Sequence, residues 1–110
     1  MEELCPRFEN AMQLVSKRWV GLILFDLLEG KKRFSEMEAD LPISGRLLSD
    51  RLKMLEQEDI VERNIYSEFP VRIEYSLSVK GKALEPVIRE IQRWAEDWVT
   101  LENQTEKEVK

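Results

Sequence analysis

The chain has 110 residues, of which 43% are hydrophobic and 35% charged, and its formal net charge is −5. This balance is typical of one soluble globular domain and excludes a disordered chain. The sequence holds no histidine and a single cysteine, so it lacks the commonest general base and a zinc ligand set. We therefore expect no enzyme, no metal and no cofactor.

The sequence also lacks any segment that would target it to a membrane. No apolar run reaches the roughly 18 residues that cross a bilayer, and the N-terminus has no secretory signal pattern. We expect a cytoplasmic protein without a membrane partner. Its single domain is predicted over residues 1–101, and residues 102–110 are predicted to form a polar, flexible tail.

The acidic total conceals an uneven distribution of charge. Residues 31–53 contain six basic and four acidic side chains, whereas 54–70 and 84–110 together contain twelve acidic and five basic ones. An acidic domain can therefore still present a basic face locally.

The first half of the chain is predicted to be helical. Apolar spacing predicts a helix over 7–15 with Pro6 at its start, and a second helix from a Ser16 cap to about Glu29. Apolar residues surround nearly the whole second helix, which predicts a central buried helix. Gly30 is its expected C-cap.

Two helices separated by a short turn then follow. Residues 31–34 predict a brief edge strand, and Ser35 to Glu38 match a capping box at the start of a helix that ends by Leu41-Pro42. After a tight turn, Ser44 is expected to cap a helix from Gly45 to about Gln57. Two helices separated by two or three residues are typical of a helix-turn-helix.

The helix from Gly45 has an apolar face and a polar arc. In a recognition helix, the first turns are the part that reaches base edges. Arg51 falls outside this arc, and we expect it to be structural or to contact phosphate. The polar arc consists of Arg46, Ser49, Asp50 and Lys53.

The second half predicts a hairpin and a long helix. Strands are expected over 60–66 and 72–78, and a hairpin after a helix-turn-helix is a winged helix. Ser78 is expected to cap a helix running to about Leu101, although Gly81 and Pro86 weaken its first turns. The predicted class is α+β and mainly α, a winged helix-turn-helix with a two- to three-stranded wing and a long C-terminal dimerisation helix.

Several blocks, in order along about residues 5–99, resemble the HxlR family of bacterial winged-helix regulators, relatives of the MarR group. Gly45 departs from the larger residues usual at its position. The matching blocks are Cys5-Pro6, Lys17-Arg18-Trp19, Gly30, Lys32-Arg33-Phe34-Ser35-Glu36, Leu41-Pro42-Ile43-Ser44, Leu48, Arg51-Leu52, Leu55-Glu56, Val61-Glu62-Arg63, Phe69-Pro70-Val71-Arg72-Ile73-Glu74-Tyr75-Ser76-Leu77, Gly81 and Trp94-Ala95.

The resemblance implies a homodimer built from the first and last helices. It also implies paired recognition helices in successive major grooves of an inverted repeat, with the wing along the adjacent backbone or minor groove. Some family members sense oxidants or electrophiles through an N-terminal cysteine, and Cys5 occupies the matching place. The expected interface residues are Phe8, Met12, Ile91, Trp94 and Trp98.

The sequence thus predicts a transcriptional regulator, a repressor more often than an activator, that binds double-stranded DNA as a homodimer. The Asp50 carboxylate is expected to accept a hydrogen bond from a cytosine amino group or to form an ion pair with Arg46 or Lys53. A protein-interaction winged helix that does not bind DNA is the alternative, and a small-molecule effector is left open. The expected DNA-binding residues are Ser44, Gly45, Arg46, Ser49, Asp50, Lys53, Lys32, Arg33 and Arg72.

Overall fold

A computed structural model describes residues 5–101 as six helices and one hairpin. The predicted tail at 102–110 lies outside the described residues. No helix within 5–101 combines the length and the apolar character needed to cross a membrane. In chain order the elements are α1 (Pro6–Val15), α2 (Val20–Leu27), α3 (Phe34–Asp40), α4 (Gly45–Gln57), β1 (Val61–Tyr66), β2 (Arg72–Leu77), α5 (Val79–Lys82) and α6 (Glu85–Trp98).

The second helix starts later than predicted. Ser16 ends α1, its backbone N–H donating to the Met12 carbonyl at 2.9 Å, and Trp19 adopts a left-handed backbone with φ 78° before α2 begins at Val20. A positive φ interrupts a right-handed helix, so the Ser16 cap prediction is wrong. Helix α2 ends at Leu27 with Leu28 as its C-cap residue, so the predicted Gly30 C-cap is wrong; Gly30 follows two residues later with a positive φ of 132°.

Helix α3 begins one residue before the predicted capping box. The Glu36 carboxylate accepts from the backbone N–H of Arg33 at 2.7 Å, so Arg33 is the N-cap residue and the helix starts at Phe34. Ser35 lies inside the first turn, and its predicted capping role is wrong. The Glu36 carboxylate satisfies one free N–H and favours the positive end of the helix dipole.

The wing is a two-stranded antiparallel hairpin. Its register pairs Val61 with Leu77 and Ile65 with Ile73. The predicted third strand is reduced to one bridge, in which Lys32 and Tyr75 exchange both backbone hydrogen bonds at 2.9 and 2.7 Å. This bridge attaches the segment between α2 and α3 to the wing.

The predicted single C-terminal helix is divided in two. Ser78 does cap α5, its Oγ accepting from the Gly81 N–H at 3.0 Å. The chain leaves the helix after Lys82 and restarts at Glu85, because Pro86 has no N–H to continue the ladder and is tolerated only in a first turn. Gly81 packs so closely on the Ile60 carbonyl that a Cβ there would collide with it.

One hydrophobic core unites these elements. Helix α2 supplies its centre, as predicted, but Leu22 and Phe25 on the same helix are exposed, so α2 is not buried all round. The core consists of Val20, Ile23, Leu24, Leu27, Met37, Leu48, Leu52, Leu55, Ile60, Val61, Leu77 and Ile88.

A single lysine links three parts of this fold, two through its ammonium group and one through its backbone. Lys32 Nζ donates to Asp26 at 2.8 Å, Glu29 at 2.6 Å and Asp40 at 2.7 Å. We call these four residues the Lys32 cluster. It joins the end of α2 to the end of α3, while the Lys32 backbone holds the wing. The side chains of Lys32 and Asp26 are only 14% and 9% exposed.

The charges of the Lys32 cluster depend on each other. Hydrogen bonds, first to Asp26 and then to Asp40, raise the pKa of Lys32, so it stays charged. Burial raises the pKa of Asp26, and one of its oxygens, Oδ2, is buried without a hydrogen-bond partner. The hydrogen bond from Lys32 lowers the pKa of Asp40. Asp26 is therefore costly to bury, and Lys32 offsets that cost.

Replacing Lys32 by Met should lower the free energy of unfolding by about 3 kcal/mol, because Asp26 remains buried with no cation. Glu29 and Asp40 are more exposed and can be hydrated when Lys32 is absent. The loss of unfolding free energy should therefore lie near the low end of the range for broken buried ion pairs. Urea denaturation measures it. The matched control is Lys31→Met at an exposed position, with a change of about 0.5 kcal/mol or less; equal losses in both variants would contradict the role of the cluster.

The stability difference between wild type and Lys32→Met should also shrink as the pH falls. In the wild type the lowered pKa of Asp40 gives stability that is present above its ordinary pKa of 3.8 and is lost as the pH falls through the folded value. Without Lys32 the pKa of each carboxyl rises, so the variant gains protons and relative stability on acidification. A pH-independent difference would argue against this electrostatic cause.

Candidate nucleic-acid interface

Helix α4 is positioned by its N-terminus and by close contact with α3. The Ser44 Oγ accepts from the Leu47 N–H at 3.2 Å, which confirms the predicted cap. A Cβ on Gly45 would meet the carboxylate of Glu38, and the Phe34 ring lies 3.7 Å from that position. The absence of a side chain at Gly45 lets α3 approach the first turn of α4.

The predicted polar arc forms one continuous open surface on α4. Arg46, Ser49, Asp50 and Lys53 line it together with Leu47. Within residues 5–101, neither Arg46 nor Lys53 makes an ion pair. Two unpaired cations therefore project from an accessible helix face, where phosphate or base edges could replace water.

Asp50 has a different partner from the two predicted. Its carboxylate accepts from Arg51 Nη1 at 2.7 Å, not from Arg46 or Lys53. Arg51 also donates from Nε to the Arg18 carbonyl at 2.9 Å, and its side chain is only 16% exposed. The structural role predicted for Arg51 follows from these contacts, and the charge of Asp50 is balanced outside the polar arc.

Comparison with known proteins gives the same architecture. A family model described as HxlR-like helix-turn-helix matches residues 14–103. The HTH-type transcriptional regulator YvaP of Bacillus subtilis (strain 168) is 60% identical over 98 residues, covering 88% of this chain and 91% of YvaP. YodB of the same organism is 47% identical over 96 residues, covering 86% of each chain.

The chain belongs to the HxlR-like helix-turn-helix family, whose named relatives are transcriptional regulators.

Solved structures of HxlR relatives share this fold. The reduced form of YodB from B. subtilis aligns with a TM-score of 0.78 and 46% identity, covering 88% of this chain and 96% of that one. YodB has also been solved after diamide treatment and with bound quinone, at TM-scores of 0.74 and 0.73. The redox regulator HypR in its oxidised form aligns with a TM-score of 0.81 and 33% identity, covering 88% of this chain and 100% of that one.

Two of the basic residues expected at DNA are engaged within the protein. The Lys32 ammonium is enclosed by three carboxylates, so the structure assigns it to the fold, and the phosphate role expected of it is corrected. Arg72 lies 3.3 Å from Glu68 and 3.4 Å from Glu74, with its guanidinium 4.5 Å from the centre of the Tyr66 ring. A phosphate at Arg72 would have to compete with these two carboxylates. Arg33 is exposed, and its contact with DNA stays a prediction.

The sequence contained one signal for the Lys32 cluster. Asp26 is the only charged residue of α2, in the segment Val20–Leu27, and a lone carboxylate in an apolar helix implies a cationic partner. Sequence spacing could not identify Lys32 as that partner. Lys32 lies outside α2, and it meets Asp26 and Asp40 only in the fold.

All five residues predicted for the dimer interface are exposed. Phe8 and Met12 lie one turn apart on α1, and Ile91, Trp94 and Trp98 follow one face of α6, with Trp98 72% exposed. The exposed Phe25 of α2 packs instead beside Arg89, whose guanidinium lies 5.5 Å from the centre of its ring, on a different side of α6 from Trp94 and Trp98. Large contiguous apolar areas on a small domain mark interaction sites.

Cys5 is exposed at the N-cap of α1, and its carbonyl accepts from the Glu9 N–H at 3.0 Å. The spacing of residues 5, 8 and 12 places Cys5 on the same side of α1 as Phe8 and Met12. The predicted sensor therefore lies beside part of the predicted dimer interface.

Replacing Arg51 by Met should lower the free energy of unfolding by about 2 kcal/mol, because the Arg18 carbonyl loses a charged donor. Thermal or urea unfolding measures the change. The control is Lys53→Met on the same helix, where no contact is lost and the change should stay within about 0.5 kcal/mol. A loss as large in the control would show that any charge removal on α4 has this effect.

Proposed function

We propose that this HxlR-family regulator is a repressor that binds an inverted repeat in double-stranded DNA as a homodimer. The observation that carries the proposal is the polar arc of α4, where Arg46 and Lys53 stand free of ion pairs on the second helix of a helix-turn-helix. Arg46 lies in the first turn and suits a guanine edge, whereas Lys53, two turns later, suits a phosphate. We place this activity in the cytoplasm and assign the chain no catalytic role.

The exposed apolar residues of α1 and α6 support the homodimer. A symmetric dimer uses the same patch twice, and aromatic residues concentrate in the centre of such interfaces. Trp94 and Trp98 provide two large anchors on one helix face. A dimer would also present two α4 helices, as an inverted repeat requires.

We further propose that modification of Cys5 switches DNA binding. The likeness to YodB, solved in reduced, diamide-treated and quinone-bound forms, supports this role. Cys5 also shares a side of α1 with Phe8 and Met12, so a bulky adduct or a bond between protomers at Cys5 would alter how α1 meets the partner.

Both reactions balance without a further reagent. Diamide accepts two electrons and two protons from the Cys5 thiols of two protomers, becoming the hydrazine while one intersubunit S–S bond forms. A quinone instead receives the Cys5 thiolate at a ring carbon, forming one C–S bond; a proton is taken up and the ring becomes a hydroquinone thioether. The thiolate is the reacting form in each case.

Arg46→Ala should cost about 1–3 kcal/mol on the preferred duplex and relax base preference at one position of each half-site, because a base contact is lost. Lys53→Ala should weaken all duplexes alike and reduce the slope of log affinity against log salt by about one per protomer, because a phosphate contact is lost. Fluorescence anisotropy on duplexes selected from random DNA measures both.

The matched control is Arg93→Ala on the exposed surface of α6, where Arg93 pairs with Glu90; it should leave affinity and salt slope unchanged. If the wild type shows no salt-dependent binding to any selected duplex, the proposal fails and the protein-interaction alternative gains support.

Cys5→Ser should keep operator affinity but lose the response to oxidants, because Ser has no thiol to oxidise or alkylate. Diamide or a benzoquinone should release the wild type from DNA and leave the variant bound. On non-reducing gels only the diamide-treated wild type should run as a covalent dimer. Since Cys5 is the single cysteine of the chain, a variant that is still released would exclude thiol chemistry as the switch.

A further inference from the structure

A groove of about 890 Å³ separates α1 from the C-terminal end of α4 and from α5. Its α1 wall is the side that carries Arg7, Ala11 and Leu14, about a third of a turn away from the side that holds Phe8 and Met12. The groove is therefore distinct from the surface proposed for the dimer and from the DNA-facing arc of α4. Its size is within the range of small-molecule sites.

The floor of the groove is apolar. Leu14 of α1, Met54 of α4 and Leu84, which follows α5, are partly buried against the core, and Ile60 is buried below them. No residue of α1 itself is buried. Helix α1 thus lies beside this floor and leaves its apolar surface accessible. An apolar body in the groove would remove that surface from water.

The rim of the groove is cationic. It has three basic side chains, Arg7, Lys17 and Lys80, and one acidic residue, Glu58, in a protein whose formal net charge is −5. The Lys80 ammonium donates to the Glu58 carbonyl at 2.7 Å. Arg7 and Lys17 have no ion pair or side-chain hydrogen bond within residues 5–101, and they flank the groove at the two ends of α1.

We propose that this groove binds an amphipathic organic anion, with its apolar body on Leu14, Met54 and Leu84 and its anionic group at Arg7 or Lys17. Charge complementarity selects the anion, because neither cation has a partner within residues 5–101 and both lie next to apolar surface. An amphipathic cation would meet repulsion at the same rim, and a small inorganic anion would leave the floor exposed. The inference stands apart from DNA binding and from the chemistry of Cys5.

The test uses the full chain and probes that share one alkyl chain but differ in headgroup. Sodium decanoate, decanol and decyltrimethylammonium are titrated into isotope-labelled protein and followed by amide and indole NMR signals. We expect decanoate to bind most tightly and to shift the amides of Ala11, Leu14 and Ala83. The indole signals of Trp94 and Trp98, which lie on the competing apolar surface, should stay in place.

The variant Arg7→Glu/Lys17→Glu should bind decanoate at least about tenfold more weakly while its binding of decanol is unchanged, because only the headgroup contact is lost. Both side chains are exposed and unpartnered, so the variant should fold, and its amide spectrum verifies this. Lys31→Glu/Lys82→Glu makes the same charge change away from the groove and should bind as the wild type does.

Three results would overturn the proposal. These are decanoate shifting no groove amide, decanoate shifts centred on Trp94 and Trp98, and decyltrimethylammonium binding the groove as tightly as decanoate. Unchanged decanoate binding by the doubly substituted groove variant would equally exclude Arg7 and Lys17 as the anion partners.

Discussion

The arrangement of the helix-turn-helix depends on one partly buried cation. The Lys32 ammonium holds carboxylates from the end of α2 and the end of α3, while its backbone pairs with Tyr75 in the wing. Asp26 would be an uncompensated buried charge without it, so Lys32 stabilises the mutual arrangement of α2, α3 and the wing. Helices α3 and α4 are then related through the shared core, to which α3 contributes Met37 and α4 contributes Leu48, Leu52 and Leu55.

The basic side chains of this acidic protein divide into two groups with different tasks. Lys32, Arg51 and Arg72 are engaged by carboxylates or backbone carbonyls and hold helices or strands in place. Within residues 5–101, Arg46 and Lys53 on the open face of α4 have no such partner, and neither do Arg7 and Lys17 at the groove beside α1. A net charge of −5 is therefore a poor guide to binding here, because several cations are neutralised within the fold whereas these four remain open on two separate surfaces.

Local patterns in the sequence were sufficient for much of this fold. Helical and strand periodicity, with the Ser44 and Ser78 caps, placed α1, α4 and both strands within a residue or so of their ends, and grouped the polar arc of α4 correctly. The errors arose where distant contacts or backbone geometry decide. The left-handed backbone of Trp19 moves the start of α2 to Val20. The Glu36 carboxylate caps α3 from inside the helix. Asp40, which binds Lys32, and the Arg18 carbonyl, which binds Arg51, come from other elements of the fold.

Helix α1 differs from the rest of the domain in how it is held. The core joins α2, α3, α4 and the wing, and the Lys32 cluster ties them further, whereas α1 has no buried residue and contributes mainly Leu14. A perturbation at Cys5 or in the groove beneath α1 therefore moves the element that is cheapest to move. Because α1 also carries Phe8 and Met12, such a displacement would, in the proposed dimer, change the spacing between two protomers while leaving each α4 seated in its own domain. Under that proposal a signal would alter DNA affinity without disturbing the polar arc of α4.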